Sequence, residues 1–360
     1  MTILDRYVTK EFIGIFFLVL LLFTSLFMIV EFFERIRMFL SHKASLYQIV
    51  SYLFFRIPMM VSLVIPASVL LASLIAFSSL SKNCEIVAMK ANGISLYRTS
   101  LPVITTSVLI CVLAFLNSEF IAPYSNQKAE HIKLVEIQKR EPMGTFKQNQ
   151  LWYRGKDGIY NFKMFDPQMN TLQGITINYL DKDFTLKMRI DAEKAEWKDG
   201  QWVFYNLLTT RFTEGEFPSL EHISTKVIDL PEKPSDFNII QKKTDTMGYA
   251  ELRKYVKKIQ SEGYDATRYI VDMQGKIAFA LVSIILVIIG ISFSLMKTER
   301  SGGIMQSIGV GIIIGFSYWI VHAFALSVGR SGTIPPIISA WFANVVLGIA
   351  STIMFFRVKT

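Results

Sequence analysis

The stretch that decides the fold is FIGIFFLVLLLFTSLFMIV, which runs from Phe12 to Val30 without a charged side chain. About 20 residues in a helix cross the roughly 30 Å hydrocarbon core of a bilayer. In that core every backbone polar group needs a hydrogen bond within the protein, and a helix supplies it. Five more stretches are as long and carry at most one histidine: Ile57–Ser81, Thr99–Ser118, Ile277–Met296, Ser301–Gly329 and Ser331–Phe356. The sequence therefore predicts an α-helical membrane protein with six transmembrane helices.

The charged residues are concentrated in the middle of the 360-residue chain. Residues 122–265 hold 22 of the 38 Lys and Arg residues and 21 of the 29 Asp and Glu residues, so this segment is almost neutral. The apolar remainder carries nearly all of the net charge of +9. A basic protein often binds nucleic acid, but this distribution argues against a nucleic-acid partner. We predict helices one to three in residues 1–121, a polar domain in residues 122–265, and helices four to six in residues 266–360.

The short loops predict the orientation in the membrane. With the N-terminus inside, nine Lys and Arg residues flank the spans on the cytoplasmic side and five on the other side. Such an excess marks the cytoplasmic side, so both termini are expected in the cytoplasm and the polar domain outside it. The first span is too long for a cleaved signal peptide, and no small-residue cleavage pattern follows it. We expect it to remain as an anchor.

Short alternating segments in the polar domain indicate β-strands. Leu151–Tyr153, Gly174–Tyr179 and Phe184–Ile190 are such segments, and Trp197–Trp202 places an Asp-Gly pair between aromatic residues, the pattern of a hairpin turn. Evenly spaced short strands are typical of a sandwich or a jelly roll. We therefore predict an inserted all-β domain that is jelly-roll-like. Its sequence shows neither a metal-ligand cluster nor a nucleophile motif.

A polar helix is predicted between this domain and the fourth span. In residues 248–262 the apolar side chains recur at helical spacing, and lysines occupy the other positions. The apolar face comprises Leu252, Tyr255, Val256 and Ile259. The helix leads into a span, so we expect it at the membrane surface. Contact with lipid headgroups and contact with a specific ligand are both compatible with this pattern.

The one sizeable cytoplasmic loop, residues 82–93, also predicts a helix, ending at Gly93. Glu85 lies in its first turn, where a carboxylate favours the helix dipole. Ile86, Met89 and Lys90 recur at spacings of three and four residues. A short helix on a membrane face with a carboxylate and a methionine suits docking into a partner's groove. An ordinary linker helix is the alternative.

Charged residues beside the spans predict two ion pairs. Glu31 and Arg35 follow the first span four residues apart, and Asp272 and Lys276 stand at the start of the fourth in the same relation. Residues four apart lie on the same face of a helix. We regard the second pair as structural. His322 lies inside the fifth span, where polar groups are often functional, although a neutral histidine bonded to a neighbouring helix is the commoner case.

Nine short motifs follow one another along the chain. They are Leu4–Tyr7, Glu85–Gly93, Leu151–Tyr153, Gly174–Ile177, Tyr255–Lys257, Ser261–Gly263, Ala266–Tyr269, Lys276 and Gly332–Pro336. In this combination they resemble the lipopolysaccharide-export permease family LptF/LptG, also called YjgP/YjgQ. The resemblance covers nearly the whole chain and includes the arrangement of three helices on each side of a β domain. The C-terminal half is more similar to the G-type branch than to the F-type branch.

The resemblance implies an activity and a set of partners. The protein would pair with an F-type permease homologue, and a cytoplasmic ATPase dimer would dock on the loop helix. Lipopolysaccharide would enter from the outer leaflet of the inner membrane. It would leave through the periplasmic β domain toward a periplasmic lipopolysaccharide-transfer protein with a single membrane anchor. The family's docking helix corresponds here to Glu85, Ile86, Met89, Lys90, Ala91 and Gly93.

The resemblance also implies where substrate would bind. Lipid A carries phosphates and acyl chains, which require cations near the outer surface and an apolar cavity. The family places basic residues at the outer end of the first span, but the position nearest the membrane is here Glu31. Anchoring to lipid headgroups is the alternative explanation for each cation. The candidate residues are Arg35, Arg37, Lys128, Lys133 and His322.

The chain lacks the phosphate-binding loop G-x-x-x-x-G-K-[ST]. Gly-Lys occurs at 155–156 and at 275–276, but Asp157 and Ile277 follow instead of Ser or Thr. If the process uses ATP, a partner ATPase must bind the ATP and Mg. We therefore predict a non-catalytic subunit that binds no cofactor and no metal of its own.

Two other functions fit parts of the sequence. A membrane-anchored scaffold or sensor would use the β domain to bind a periplasmic partner without transport, but six spans are more than an anchor needs. A stand-alone secondary transporter would normally place ionisable residues near the middle of the membrane. Most charges beside these spans lie at the ends, and His322 is the exception.

Overall fold

A computed structural model describes residues 2–139, 144–147, 150–154, 158–166, 169–181, 185–198, 200–212, 217–228, 230, 234, 244–261, 265–296 and 304–358. The chain divides into two compact units. One comprises Met1–Ile137 and Thr244–Thr360, and the other is Gln138–Lys243. Six positions of the predicted elements, residues 184, 199, 262 and 301–303, lie outside the described residues.

The first unit is helical. Its helices are α1 (Ile3–Ser41), α2 (Leu46–Lys82), α3 (Glu85–Ala91), α4 (Leu96–Leu116), α5 (Ala122–His131), α6 (Tyr249–Ser261), α7 (Thr267–Met296), α8 (Ile304–Arg330) and α9 (Pro336–Phe356). A π-helical turn at Asn117–Ile121 joins α4 to α5, and a second one at Ile132–Ile137 follows α5. Together these segments form one continuous helix of 42 residues.

The six predicted spans are confirmed as six long apolar helices: α1, α2, the helix containing α4 and α5, α7, α8 and α9. The first four of them are longer than their uncharged stretches, because polar residues continue the helix beyond the apolar part. The described parts of α8 and α9 are slightly shorter than the stretches that predicted them. Side-chain caps define two of the starting points. Thr2 begins α1 and Ser45 begins α2 with reciprocal hydrogen bonds to Asp5 and Gln48, respectively.

The core of the helical unit lies along α2. In its most apolar 18-residue window 72% of the residues are buried, against 11% for α1. Leu70 and Leu74 of α2 pack in one cluster with Val282 and Leu286 of α7. A glycine permits the close approach of these helices, since a Cβ atom on Gly290 would lie 2.0 Å from Ser73 Oγ. Small residues at such contacts let membrane helices pack closely.

The second unit contains one antiparallel sheet. Its strands are β1 (Gly144–Lys147), β2 (Gln150–Arg154), β3 (Gly158–Asp166), β4 (Thr171–Leu180), β5 (Leu186–Lys198), β6 (Gln201–Arg211) and β7 (Ser219–Ile228). Each strand pairs with its sequence neighbours in the order β1 to β7. The inserted all-β domain is therefore confirmed. Within the described residues its strand order is that of a meander, because short turns bring consecutive strands together.

The predicted Asp-Gly hairpin is confirmed between β5 and β6. Trp197 faces Trp202 across the strands, and Gly200 has a φ of +82°, the left-handed conformation that such a turn requires. The two indole rings make an edge-to-face contact with their centres 5.2 Å apart. Burial alternates along β6, where Trp202 and Phe204 point into the core of the unit. One face of the sheet thus supplies the core of this unit.

Candidate functional site

Glu31 is the centre of a polar cluster near the C-terminal end of α1. The residue is buried, and its Oε1 atom lies 2.5 Å from Arg35 Nε, one turn along the same helix. The Tyr52 hydroxyl of α2 donates a 2.6 Å hydrogen bond to the same oxygen. Arg56 Nε, also on α2, lies 3.3 Å away. The predicted pair of Glu31 and Arg35 is confirmed, and two guanidinium groups share one carboxylate.

The cluster extends to the helix that contains α5. Arg56 Nη1 donates a 2.6 Å hydrogen bond to Asn126 Oδ1 of α5. Lys133 Nζ, in the following π turn, lies 3.6 Å from Glu130 Oε2. The cations are Arg35, Arg56 and Lys133, and the carboxylates are those of Glu31 and Glu130. These five groups together have a net charge of +1. Half-buried guanidinium groups with donors to spare suit the bidentate binding of phosphate oxygens.

The structure separates the five predicted substrate residues. Arg35 and Lys133 belong to the Glu31 cluster and its extension on the helix that contains α5, whereas Arg37 and Lys128 are exposed on α1 and α5. His322 lies elsewhere, on α8. Sequence reasoning did not select Arg56 or Tyr52 for this cluster. Arg56 is the one charged residue of α2 before Lys82, and its position at the border of the apolar stretch was the available signal.

His322 lines a cavity of about 370 Å³ within the helical unit. The wall of the cavity is mostly apolar, and its polar lining includes Ser283, Lys276 and Asp272 of α7. The His322 ring stacks on Tyr318 of its own helix with the ring centres 5.3 Å apart. Its Nδ1 atom and the Ser283 hydroxyl have no hydrogen-bond partner among the described residues. The cavity therefore combines an apolar wall with two polar groups, His322 Nδ1 and the Ser283 hydroxyl, that could bond to a ligand.

The predicted pairing of Asp272 with Lys276 is wrong. Asp272 Oδ1 instead accepts a 2.7 Å hydrogen bond from Arg330 Nε at the end of α8. Among the described ion pairs, none within 4 Å joins Asp272 to Lys276. Packing of α8 against α7 places the Arg330 guanidinium group beside the Asp272 carboxylate. The spacing of residues along one helix cannot predict a partner on another helix. The pair connects the N-terminal part of α7 to the C-terminal end of α8.

The loop helix α3 presents one face to the core and one to solvent. Ile86 and Met89 are buried, with 7% and 8% of their surface exposed, whereas Val87 is 62% exposed. Lys90 and Ala91 are also exposed. The helix ends where predicted, since Gly93 has a φ of +77° and the Ile94 amide donates to the Met89 carbonyl. Any partner of α3 therefore meets the exposed face.

Glu85, at the start of α3, is already engaged within the chain. The Tyr7 hydroxyl of α1 interacts with its carboxylate. Asn83 Nδ2 lies 3.4 Å from Glu85 Oε1. The carboxylate is half-buried and faces α1. A cation on a partner would have to share this carboxylate with Tyr7.

The amphipathic helix α6 buries the four residues predicted for its apolar face. The face packs within the protein: Tyr255 makes an edge-to-face contact with Tyr269 of α7, with the ring centres 5.0 Å apart. Glu119, in the first π turn, accepts hydrogen bonds from the Tyr249 and Ala250 amides and so caps the helix. Lys254 and Lys257 remain exposed on the other side of the helix.

No group of three or more His, Cys, Asp or Glu side chains is arranged to hold a metal ion in the described part of the chain. Residues 6–357 match the sequence model of the family described as lipopolysaccharide export system permease LptF/LptG. The chain belongs to the LptF/LptG family. Its permeases are non-catalytic transmembrane subunits of an ABC transporter in the inner membrane. The six long apolar helices make this LptF/LptG permease a multi-pass membrane protein.

Full-length relatives of this LptF/LptG permease carry the name LptG. The lipopolysaccharide export system permease protein LptG of Escherichia coli (strain K12) is 23% identical over 346 residues, which cover 94% of this chain and 93% of that protein. The protein of the same name from Haemophilus influenzae (strain KW20) is 23% identical over 325 residues, which cover 89% and 88% of the two chains. The similarity therefore includes both units.

Proposed function

We propose that this permease extracts lipopolysaccharide from the outer leaflet of the inner membrane and passes it to its periplasmic β domain, with ATP hydrolysed by a partner chain. The observation that carries this proposal is the Glu31 cluster, in which Tyr52, Arg35 and Arg56 surround one carboxylate. It leaves a net positive charge near the end of α1, the long apolar helix whose apolar window is least buried within the described chain. In the proposed orientation, a phosphorylated glycolipid in the outer leaflet would place its phosphates level with this cluster and its acyl chains in the hydrocarbon core.

The proposed topology places both termini and α3 in the cytoplasm. The cluster and the β domain then lie on the periplasmic side. We keep the sequence-based division into residues 1–121, 122–265 and 266–360 as functional segments, with the middle segment periplasmic. The continuous helix from Leu96 to Ile137 would extend beyond the membrane on that side, since its last third is polar.

The proposed partners follow from the exposed surfaces and from the family. An F-type permease homologue would cover part of the apolar surface of this chain. A cytoplasmic ATPase dimer, which binds ATP and Mg, would dock on the exposed face of α3 through Lys90 and Ala91. Ile86, Met89 and Gly93 would hold the shape of α3, and Glu85 would orient it against α1. A lipopolysaccharide-transfer protein with a single membrane anchor would receive the substrate.

The proposed substrate residues have different roles. Arg35 and Lys133 would bind phosphate groups together with Arg56. Arg37 and Lys128 would form an exposed rim that attracts the anionic headgroup. The cavity at His322 would accommodate an apolar part of an amphiphile beside the unpaired polar groups. This chain would bind no cofactor of its own.

The test uses the complex with its ATPase and partner permease in proteoliposomes that contain lipopolysaccharide. We expect ATP-dependent release of lipopolysaccharide to a soluble periplasmic acceptor, and a release rate several-fold lower in Arg56→Gln. The control is Arg6→Gln, which removes an exposed arginine at the other end of α1. A complex that assembles but releases nothing with ATP would support the scaffold function instead. Equal release by both variants would exclude the cluster as the substrate site.

A further inference from the structure

Helix α1 is buried against the rest of the helical unit in its first half and near its other end, and part-buried residues such as Leu20 and Phe23 make the contacts in between. Its buried residues from Asp5 to Val19 lie in the first half, and Glu31 and Phe39 lie near the other end. Between Leu20 and Val30 no residue is buried. The 39-residue helix contains no proline, so it has no obvious kink point. Movement at one end would therefore reach the other.

A buried carboxylate fixes the cytoplasmic end of α1. Asp5 Oδ1 lies 2.9 Å from Arg98 Nη1, and Asp5 Oδ2 accepts a 3.0 Å hydrogen bond from Arg98 Nη2. This bidentate geometry is the stronger form of a carboxylate–guanidinium pair. The Thr2 amide also donates to Asp5 Oδ2 over 2.8 Å. The first turn of α1 is thereby attached to the first turn of α4.

The same turn of α4 contacts the loop helix. The hydroxyl of Thr99, next to Arg98, lies 3.7 Å from Met89 Sδ of α3 and also within reach of the Ser95 carbonyl oxygen. Tyr7, two residues beyond Asp5, interacts through its hydroxyl with Glu85 at the other end of α3. One buried cluster includes Val8 of α1, Ile86 and Met89 of α3, and Leu96 of α4. The starts of α1, α3 and α4 thus form a junction with polar contacts on two sides.

From this geometry we propose that Asp5, Tyr7 and Arg98 are positioning residues that transmit a displacement of α3 to α1. The proposal rests on the proposed function, in which the ATPase moves α3. Glu31 lies 26 residues beyond Asp5 on the same helix, about 39 Å along the axis at 1.5 Å per residue. The absence of fully buried residues between Leu20 and Val30 lets this part of α1 adjust when its first turn moves. The junction therefore connects the docking helix to the substrate cluster.

Two variants break the junction in different ways. Arg98→Gln removes the cation and leaves the hydrogen bonds between Thr2 and Asp5 in place. Tyr7→Phe removes one hydroxyl group and keeps the ring, so it tests the proposal even if Arg98→Gln impairs assembly. Arg98→Lys keeps a cation beside Asp5 and leaves the cap of α1 intact, so it is expected to retain part of the coupling. Arg6→Gln is the matched control, since Arg6 is exposed on the same turn.

The first measurement is the number of lipopolysaccharide molecules released per ATP hydrolysed by the complete complex in proteoliposomes. We expect Arg98→Gln and Tyr7→Phe to hydrolyse ATP and to lower this ratio at least about fivefold, the lower end of usual coupling between sites. We expect Arg6→Gln to resemble the unmodified complex and Arg98→Lys to lie between it and Arg98→Gln. A structural role alone would lower assembly and leave the ratio unchanged.

The second measurement does not depend on transport. Spin labels at Glu34→Cys in α1 and Ser331→Cys after α8, with Cys84 and Cys111 replaced by serine, report the position of the outer end of α1. We expect nucleotide to change this distance, and Arg98→Gln to suppress the change. If nucleotide changes the distance between the labels but no lipopolysaccharide is released, the proposed function is refuted and the role of the junction stands. If nucleotide leaves the distance unchanged, or changes it equally in Arg98→Gln, the role of the junction is refuted.

Discussion

The Tyr52 hydroxyl donates a 2.6 Å hydrogen bond to Glu31, so an aromatic residue of α2 fixes the carboxylate that orients two arginines. Arg35 also lies over the Tyr52 ring, with its guanidinium carbon 5.6 Å from the ring centre. The tyrosine therefore holds both members of the pair. This arrangement leaves the outward N–H groups of the arginines for an anionic ligand.

Tyr52→Phe is expected to lower stability modestly. The substitution removes one hydrogen bond to a charged acceptor, a loss of about 1.5–3 kcal/mol, while the ring stays in place against Phe39. The melting temperature of the purified permease in detergent is the measurement. Tyr47→Phe serves as the control, because Tyr47 is exposed. Equal melting temperatures for the two variants would show that Glu31 does not depend on Tyr52.

The two faces of α3 predict opposite phenotypes. Val87→Asp alters an exposed residue, so we expect normal stability and reduced co-purification of the ATPase. Met89→Ala removes a buried side chain, and such truncations cost about 2–5 kcal/mol. We expect Met89→Ala to lower the melting temperature. The fraction of this variant that stays folded should still bind the ATPase. The assignment of the exposed face to docking would be wrong if Val87→Asp bound the ATPase normally.

Gly290→Ala is expected to destabilise the contact between α2 and α7. The added Cβ atom would lie 2.0 Å from Ser73 Oγ and 3.1 Å from the Leu70 carbonyl oxygen. Overpacking of this kind costs about 1–3 kcal/mol. Gly14→Ala is the matched control, since its Cβ atom would meet nothing within 4 Å. Thermal unfolding in detergent should separate the two variants, and equal curves would contradict the close packing.

The stability of the second unit, which contains the β-sheet, depends on pH through Glu196. Lys194 and Lys198 lie 2.5 Å and 2.6 Å from its two carboxylate oxygens and lower its pKa from 4.5 to about 2. Glu196 in turn raises the pKa of Lys198. A carboxyl group with a lowered folded-state pKa stabilises the fold above its unfolded value, and this stabilisation is lost as the pH falls toward the folded value.

Glu196→Gln should therefore lower the melting temperature of the β-unit transition at pH 6. The difference from the unmodified protein should shrink between about pH 4.5 and pH 2, where the carboxylate becomes protonated. Calorimetric scans at several pH values measure this. Asp181, whose pairing with Lys187 is more exposed, provides the comparison as Asp181→Asn. A difference that stays constant down to pH 2 would contradict the lowered pKa.

The sequence alone predicted the elements that depend on local periodicity. Six apolar stretches predicted six helices, and Trp197–Trp202 predicted a hairpin, since chain spacing and turn chemistry act over a few residues. The apolar face of α6 was also predicted completely. The pair of Glu31 and Arg35 was predicted because both residues lie on one helix.

Only the tertiary structure decided which residues from different helices meet. Arg56 joins Glu31, and Arg330 replaces Lys276 as the partner of Asp272, because packing of neighbouring helices brings distant side chains together. The attachment of α1 to α4 through Asp5 and Arg98, 93 positions apart, has the same origin. The periodicity of a helix identifies the face that is buried, but the partner on the adjacent helix depends on crossing angle and depth, which only the packed structure determines.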